Sequence, residues 1–477
     1  MAPMDGAWWP TRELPTKRRV AVSLDKDRRE VVHNKNVSMP YHDVQIAVVC
    51  QEGCYPDKKA HVNQDCYVME PAFEGDKAQL LLGVFDGHGG YGEHCAQIAS
   101  SIFPKKLEAC RKDKTLETHG GRDAPVPSDA EKTAYAKAFT ESNETVVREL
   151  GDCARSSGTT AVVAHIIGDM LHLGNVGDSR AILGVTAAVA AGDPASSGSR
   201  GAASHQSQWQ VVEVTHDQTC FRNDERERMR RQARDPVMFA TLGMILGEVP
   251  LSDDFGEETI EAADDPPRVF RNGESYPGCA FTRSFGDTIG KKLGVSADPE
   301  LLTYQLDSHV RCLVIASDGV FEFMQNDEVM AVAQKHWGDP FAACEEIVAT
   351  SYDHWATEDT RSDDVTCIVA YFKPKQGAVE SSNVETSAAG LSTQSMAKSN
   401  WKKLQGVVRA GAIKNRPSLR FANAVLAKVA IDLRRRRGSI AMEELFPDFE
   451  WDKVSELKRM ASLKGGLKMT KLSLDDP

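Results

Sequence analysis

The chain has 477 residues, of which 41% are hydrophobic, and it carries a formal charge of -12. That apolar fraction supports a substantial core, so a chain disordered throughout is excluded, and the acidic balance argues against a dedicated nucleic-acid binder. The eleven cysteines are odd in number and form no C-x-x-C pair, which gives neither a disulfide framework nor a zinc ribbon and points to a reducing compartment.

In chain order, residues 1–40 are polar, mixed in charge and without a period, and read as a loosely attached arm. They contain no apolar signal core, and Ala2 stands where amino-terminal myristoylation needs glycine. Short β-branched or apolar runs then recur at 44–50, 79–85, 160–167, 171–174, 181–185, 211–214, 312–316 and 365–372, which predicts eight strands. Gly168-Asp169 has the spacing and chemistry of a tight hairpin, and Asn175-Val176-Gly177-Asp178 turns the chain again, so antiparallel sheet is expected. Helices are predicted between strands over 93–109, 128–150, 223–232, 326–335 and 340–355.

Residues 186–208, rich in Ala, Gly and Ser, read as a flexible insertion, and 233–275 as a surface excursion. Residues 374–399 look like a linker, followed by a carboxy-terminal extension over 400–477. No stretch approaches the roughly 18 apolar residues of a membrane span, so a cytoplasmic or nuclear protein is expected. From Lys398 to Arg437 nearly every charge is positive, and Phe421, Val425, Val429 and Leu433 recur at helical spacing. The plain reading of this basic amphipathic segment is a solvated helix; the sharper ones are peripheral contact of 400–440 with anionic membrane, capture by a regulatory protein, or nuclear import. Arg436-Arg437-Gly438-Ser439-Ile440 has the form of a basophilic kinase site, which marks Ser439 as a regulatory candidate.

The main chemical signal is the recurrence of aspartate at predicted strand ends: Asp86, Asp178, Asp318 and the pair Asp363-Asp364. Any one of these is more often a turn residue than a ligand. Together they point to hard cations such as Mg2+ or Mn2+, because clustered carboxylates repel unless cations neutralise them. A rival motif overlaps the first of them, since Gly87-His88-Gly89-Gly90-Tyr91-Gly92 matches a dinucleotide-binding G-x-G-x-x-G. It is disfavoured because Asp86 would oppose a pyrophosphate and no second strand ending in an acid follows about 20 residues on.

Seven stretches then align in order from about Tyr41 to Lys373: Val62-Asn63-Gln64-Asp65, Phe85-Asp86-Gly87-His88-Gly89-Gly90, Ser157-Gly158-Thr159-Thr160-Ala161, Asn175-Val176-Gly177-Asp178-Ser179-Arg180, Phe281-Thr282-Arg283-Ser284-Phe285-Gly286-Asp287, Ala316-Ser317-Asp318-Gly319 and Asp363-Asp364-Val365-Thr366. In these the chain resembles the PPM family, the metal-dependent protein phosphatases of type 2C. Asp265-Pro266-Pro267-Arg268 and the run Tyr276 to Ser284 look closest to the phosphatase part of plant and algal proteins that also carry cyclic-nucleotide-binding and kinase domains.

The resemblance implies an α+β fold over 41–373, with two packed, mainly antiparallel β-sheets flanked by helices in a four-layer α-β-β-α sandwich. It implies hydrolysis of phosphoserine and phosphothreonine in phosphorylated proteins by a water bridging two divalent metals, in a monomer. Asp86 would bridge both ions, the Gly87 carbonyl would bind one, and Asp318 and Asp363 would complete the pair. Asp178, with Asp318, would form a third, weaker position. His88 would protonate the leaving oxygen, a role suited to imidazole, and Asp65 joins it among the catalytic residues. Gln64 stands where many members have Glu, and the family's phosphate-gripping arginine has no clear counterpart, which leaves Lys58, Lys59 or His61 as substitutes. The rival from another class is a catalytically silent scaffold that keeps the fold.

Overall fold

The structure is a computed structural model that describes residues 29–55, 61–113, 129–186, 209–256, 265–359 and 361–375. The strand His42–Gln51 shows how the sequence builds the centre. Val44, Ile46 and Val48 point to one side, into a core shared with Leu80, Leu82, Val84, Val162 and Ile166. Ala47 and Val49 point to the other, against Val329, Ile347 and Val348 of the covering helices. Side chains alternate along a strand, so a strand buried on both faces reads as one continuous apolar run.

One sheet runs Arg29–Ser38, His42–Gln51, Val365–Pro374, Val310–Ala316, Arg180–Val185, Gln210–Glu213. The other runs Phe285–Gly286, Gly158–Thr159, Gln79–His88, Ala161–Ile167, Met170–Val176, Glu300–Gln305, with Asp65–Pro71 also pairing Gln79–His88. All pairings between these strands are antiparallel. Helices Gly92–Lys112 and Asp129–Leu150 cover the second sheet through Phe103, Leu107 and Phe139. Helices Asn326–Lys335 and Pro340–Glu358 cover the first. Asp339 caps the last of these by accepting from the Ala342 amide at 3.2 Å, with Pro340 in the first turn. The result is the expected α-β-β-α sandwich.

The eight predicted strands and five predicted helices are present, with ends that differ by a few residues. The Gly168-Asp169 hairpin is also formed, with Ile167 opposite Met170. Strands not predicted include Asp65–Pro71 and Glu300–Gln305 of the second sheet. Arg29–Ser38, inside the expected arm, is an edge strand; most of its side chains face outward, so its composition is polar. Within 233–275, Val237–Ala240 and Arg268–Arg271 join Pro277–Cys279 in a separate three-stranded sheet. Its core of Cys220, Met229, Phe239, Val269, Leu293 and Val295 comes from dispersed segments, and no local period announces it. The flexible insertion beyond residue 186, the linker beyond residue 375, the basic segment and Ser439 lie outside the described residues. Among the described residues, no helix is long and apolar enough to cross a membrane.

Leu82 lies fully buried between the two sheets. Leu82→Ala is expected to lower the unfolding free energy by about 2–5 kcal/mol in urea titrations. A loss under about 1 kcal/mol would show that the sheets do not pack there as described.

Candidate active site

The strand ends deliver the acids. Asp65 and Asp86 are direct partners on adjacent antiparallel strands. Asp318 opens a one-turn helix just after the strand Val310–Ala316, whose neighbour Val365–Pro374 is preceded by Asp363 and Asp364. Asp178 follows Met170–Val176. At Gly87 a β-carbon would collide with the carbonyl oxygens of Gly92 and Gln64, so only glycine lets these segments close. The Gly87 amide donates to the Gln64 carbonyl at 3.0 Å, which fixes that closure.

The electrostatics follow from this gathering. Burial raises the Asp86 carboxyl well above its usual range, and Asp318, Asp65 and Asp363 raise it further. Burial, then Asp318 and Asp217, do the same to Asp178. Asp318 is pushed up to about 6 by burial and by Asp363. Asp65 is raised by burial and Asp364; its Oδ2 accepts from the Ser317 hydroxyl at 2.8 Å, while its buried Oδ1 has no partner among the described residues. Arg180 does not relieve the group, for its guanidinium forks onto Asp217 at 2.9 and 2.6 Å. Crowded carboxylates favour bound cations, and a donor set of carboxylates plus the Gly87 carbonyl is all oxygen, which suits a hard divalent ion.

Among the described residues, the group of three acids whose ligand atoms all lie within 4.8 Å of one another is a different one, Asp224, Glu225 and Glu300. Its charges are answered by protein. Arg283 reaches Glu225 at 2.6 Å, Arg228 reaches it at 2.7 Å, and Arg222 forks onto Asp224 and Glu300. Despite burial, those arginines hold Glu225 far below the usual carboxylate range. It is an ion-pair network and needs no metal.

Beside the aspartate pit, His88 Nε2 lies 2.7 Å from Asp287 Oδ2, and the imidazole packs on Phe281 with centroids 4.2 Å apart. Asp287 is buried, takes a second hydrogen bond from the Ser284 hydroxyl at 2.7 Å, and adopts a left-handed backbone at φ 46°. A side chain at Gly158 would displace both His88 and Asp287. With Nε2 engaged, Nδ1 is the nitrogen left to meet a substrate.

Asp364 is turned inward as a clamp. It accepts from the amides of Gly53 at 2.7 Å and Gln64 at 2.8 Å, and meets His61 Nε2 at 2.8 Å. This leaves Asp363, which receives the Tyr55 hydroxyl, as the member of the pair exposed to a ligand. His61, expected at the phosphate, thus has Nε2 engaged by Asp364. Gln64 donates to the Gly89 carbonyl at 3.0 Å and to Glu93 at 3.1 Å. Lys58 and Lys59 lie outside the described residues. Tyr55, Glu93, Asp287 and the role of Asp364 were missed from sequence; of these, only Asp287 and Asp364 carried a signal, as acids inside or beside a motif.

Sandwich and oxygen-donor pit together define a class of metal-dependent hydrolases. The family model for protein phosphatase 2C matches residues 57–360, and the chain belongs to the protein phosphatase 2C family. It is 33% identical over 340 residues to probable protein phosphatase 2C 35 of Arabidopsis thaliana, covering 71% of this chain and 86% of that one. To probable protein phosphatase 2C 72 of the same plant it is 28% identical, over 66% of this chain and 83% of the relative. The crystal structure of serine-threonine phosphatase 2C from Toxoplasma gondii has the same fold, with a TM-score of 0.52 at 16% identity over 72% of this chain and 99% of that one.

The raised carboxyls set a pH dependence for the chelated protein. A folded-state value above the unfolded one removes stability as pH rises, here from the ordinary 3.8 towards about 6 for Asp318. Asp318→Asn is therefore expected to raise the melting temperature of the chelated protein above pH 6 and to change it little near pH 4. Equal shifts at both pH values in scanning fluorimetry would contradict this.

Proposed function

We propose that the chain hydrolyses phosphoserine and phosphothreonine in proteins, using Mg2+ or Mn2+. The observation that carries this reading is the convergence of Asp65, Asp86, Asp178, Asp318 and Asp363 beside the His88–Asp287 pair. Asp86, the Gly87 carbonyl, Asp318 and Asp363 would hold two ions, and Asp178 with Asp318 a third. Such ions, when bound, supply Lewis-acid stabilisation of phosphoryl oxygens and acidify water.

The remaining work belongs to the protein. Asp65, anchored by Ser317 through Oδ2, has a buried Oδ1 with no hydrogen-bond partner among the described residues. A protonated His88 donates from Nδ1 to the departing serine or threonine oxygen, while Asp287 holds the ring through Nε2. An alkoxide is a poor leaving group without that proton. The dinucleotide reading loses its ground, because Gln79–His88 is antiparallel to each of its neighbours and opens no parallel βαβ unit. A silent scaffold would have no use for an acidic pit this costly to fold.

The test is hydrolysis of a phosphothreonine peptide by the full chain with Mn2+, with and without chelator. Chelation should abolish turnover, and undiminished chelator-resistant turnover would sink the reading. His88→Gln should lower kcat roughly 10²–10⁴-fold on the peptide but far less on p-nitrophenyl phosphate, whose leaving group needs no proton. Asp287→Asn should show the same selectivity with a smaller loss. Equal losses on both substrates would remove the acid role.

A further inference from the structure

A phosphate ester brought to an acidic pit needs donors for its outer oxygens as well as cations beneath them. The nearby donors described above are engaged: His61 by Asp364, the Gln64 amide by Gly89 and Glu93, and Arg180 by Asp217 and Asn326. Arg361 differs. Cys54 and Ser362 form an antiparallel bridge, exchanging amide hydrogen bonds of 3.1 and 2.9 Å, and this sets Tyr55 opposite Arg361. The guanidinium carbon lies 5.5 Å from the centre of the Tyr55 ring, whose hydroxyl reaches Asp363. Arg361 is thus seated over the residue that touches a proposed metal ligand, two positions before that ligand in the chain.

The guanidinium itself is lightly engaged. Its Nε lies 3.6 Å from Asp359 Oδ2, the side chain keeps 47% of its surface exposed, and its terminal nitrogens make no hydrogen bond among the described residues. The Tyr55 ring lies against the guanidinium, and Asp359 lies beside its Nε. What remains is the forked edge, which matches two phosphoryl oxygens in a way that lysine cannot.

We propose that Arg361 grips the phosphoryl group of the substrate, held in place by the Tyr55 ring and by Asp359. This rests on the phosphatase reading above and assigns its missing phosphate-binding cation to the segment just before Asp363. Lys58 and Lys59, which with His61 were the sequence-based candidates, then contribute little.

The test compares wild type, Arg361→Ala, Arg361→Gln, Arg361→Lys and the double variant Lys58→Ala, Lys59→Ala, as full chains with Mn2+. Calorimetry gives the affinity for inorganic phosphate and for Mn2+, and steady-state kinetics gives KM and kcat for a phosphothreonine peptide. Arg361→Ala and Arg361→Gln should weaken phosphate binding and raise KM by roughly ten- to hundredfold, with kcat less affected and Mn2+ affinity unchanged. Arg361→Lys should recover part of the loss. Should Arg361→Ala fail to fold, the length-preserving Arg361→Gln carries the comparison. Wild-type phosphate affinity in the Arg361 variants overturns the proposal, and so does a loss confined to the double lysine variant or one that follows Mn2+ affinity. Absence of turnover in wild type would instead overturn the phosphatase reading, while phosphate binding would still decide the role of Arg361.

Discussion

Mutual repulsion among buried carboxylates governs this molecule. Asp65, Asp86, Asp178 and Asp318 are each driven towards protonation, by burial first and by a neighbouring aspartate next. A fold spends stability to assemble such a group only if the rest of the framework forces it. Here the framework is a pair of antiparallel sheets whose strand ends converge, so acids far apart in sequence arrive together without a flexible loop to spread them.

The supporting hydrogen bonds show how the gathering is enforced. Ser317 ties Asp65 to the first sheet, since its oxygen also accepts from the Thr366 amide at 3.0 Å. Thr160 fixes the backbone at Asp86 from two sides, donating its amide to the Asp86 carbonyl at 2.8 Å and accepting the Asp86 amide at 3.0 Å. Asp364 pins the approach from Gly53 to Gln64. Where acids cluster at Glu225 and Glu300, arginines neutralise them. The contrast between the two clusters supports the proposal that the first holds cations.

Much of this was legible in the sequence. Strands buried on both faces, such as His42–Gln51 and Val310–Ala316, announce themselves as apolar runs, and an aspartate at the end of such a run is visible too. The edge strand Arg29–Ser38 was not legible, because it has one side in water and so no sustained apolar pattern. The small sheet of Val237–Ala240, Arg268–Arg271 and Pro277–Cys279 hides for another reason, since its core is shared among segments that meet only on folding. At the site, the split of labour between Asp363 and Asp364 could not be read from two adjacent identical residues; only their partners, Tyr55 for one and the Gly53 and Gln64 amides for the other, separate them.

The pit's need for cations is tested most directly by calorimetric titration of Mn2+ into the chelator-treated full chain and into Asp86→Asn. At least two ions per chain are expected for the wild type, with the tightest binding lost in the variant because Asp86 would be a ligand of both in the proposed arrangement. No uptake by the wild type at saturating Mn2+, or the same stoichiometry and affinity in Asp86→Asn, would contradict the placement of the metals among these residues.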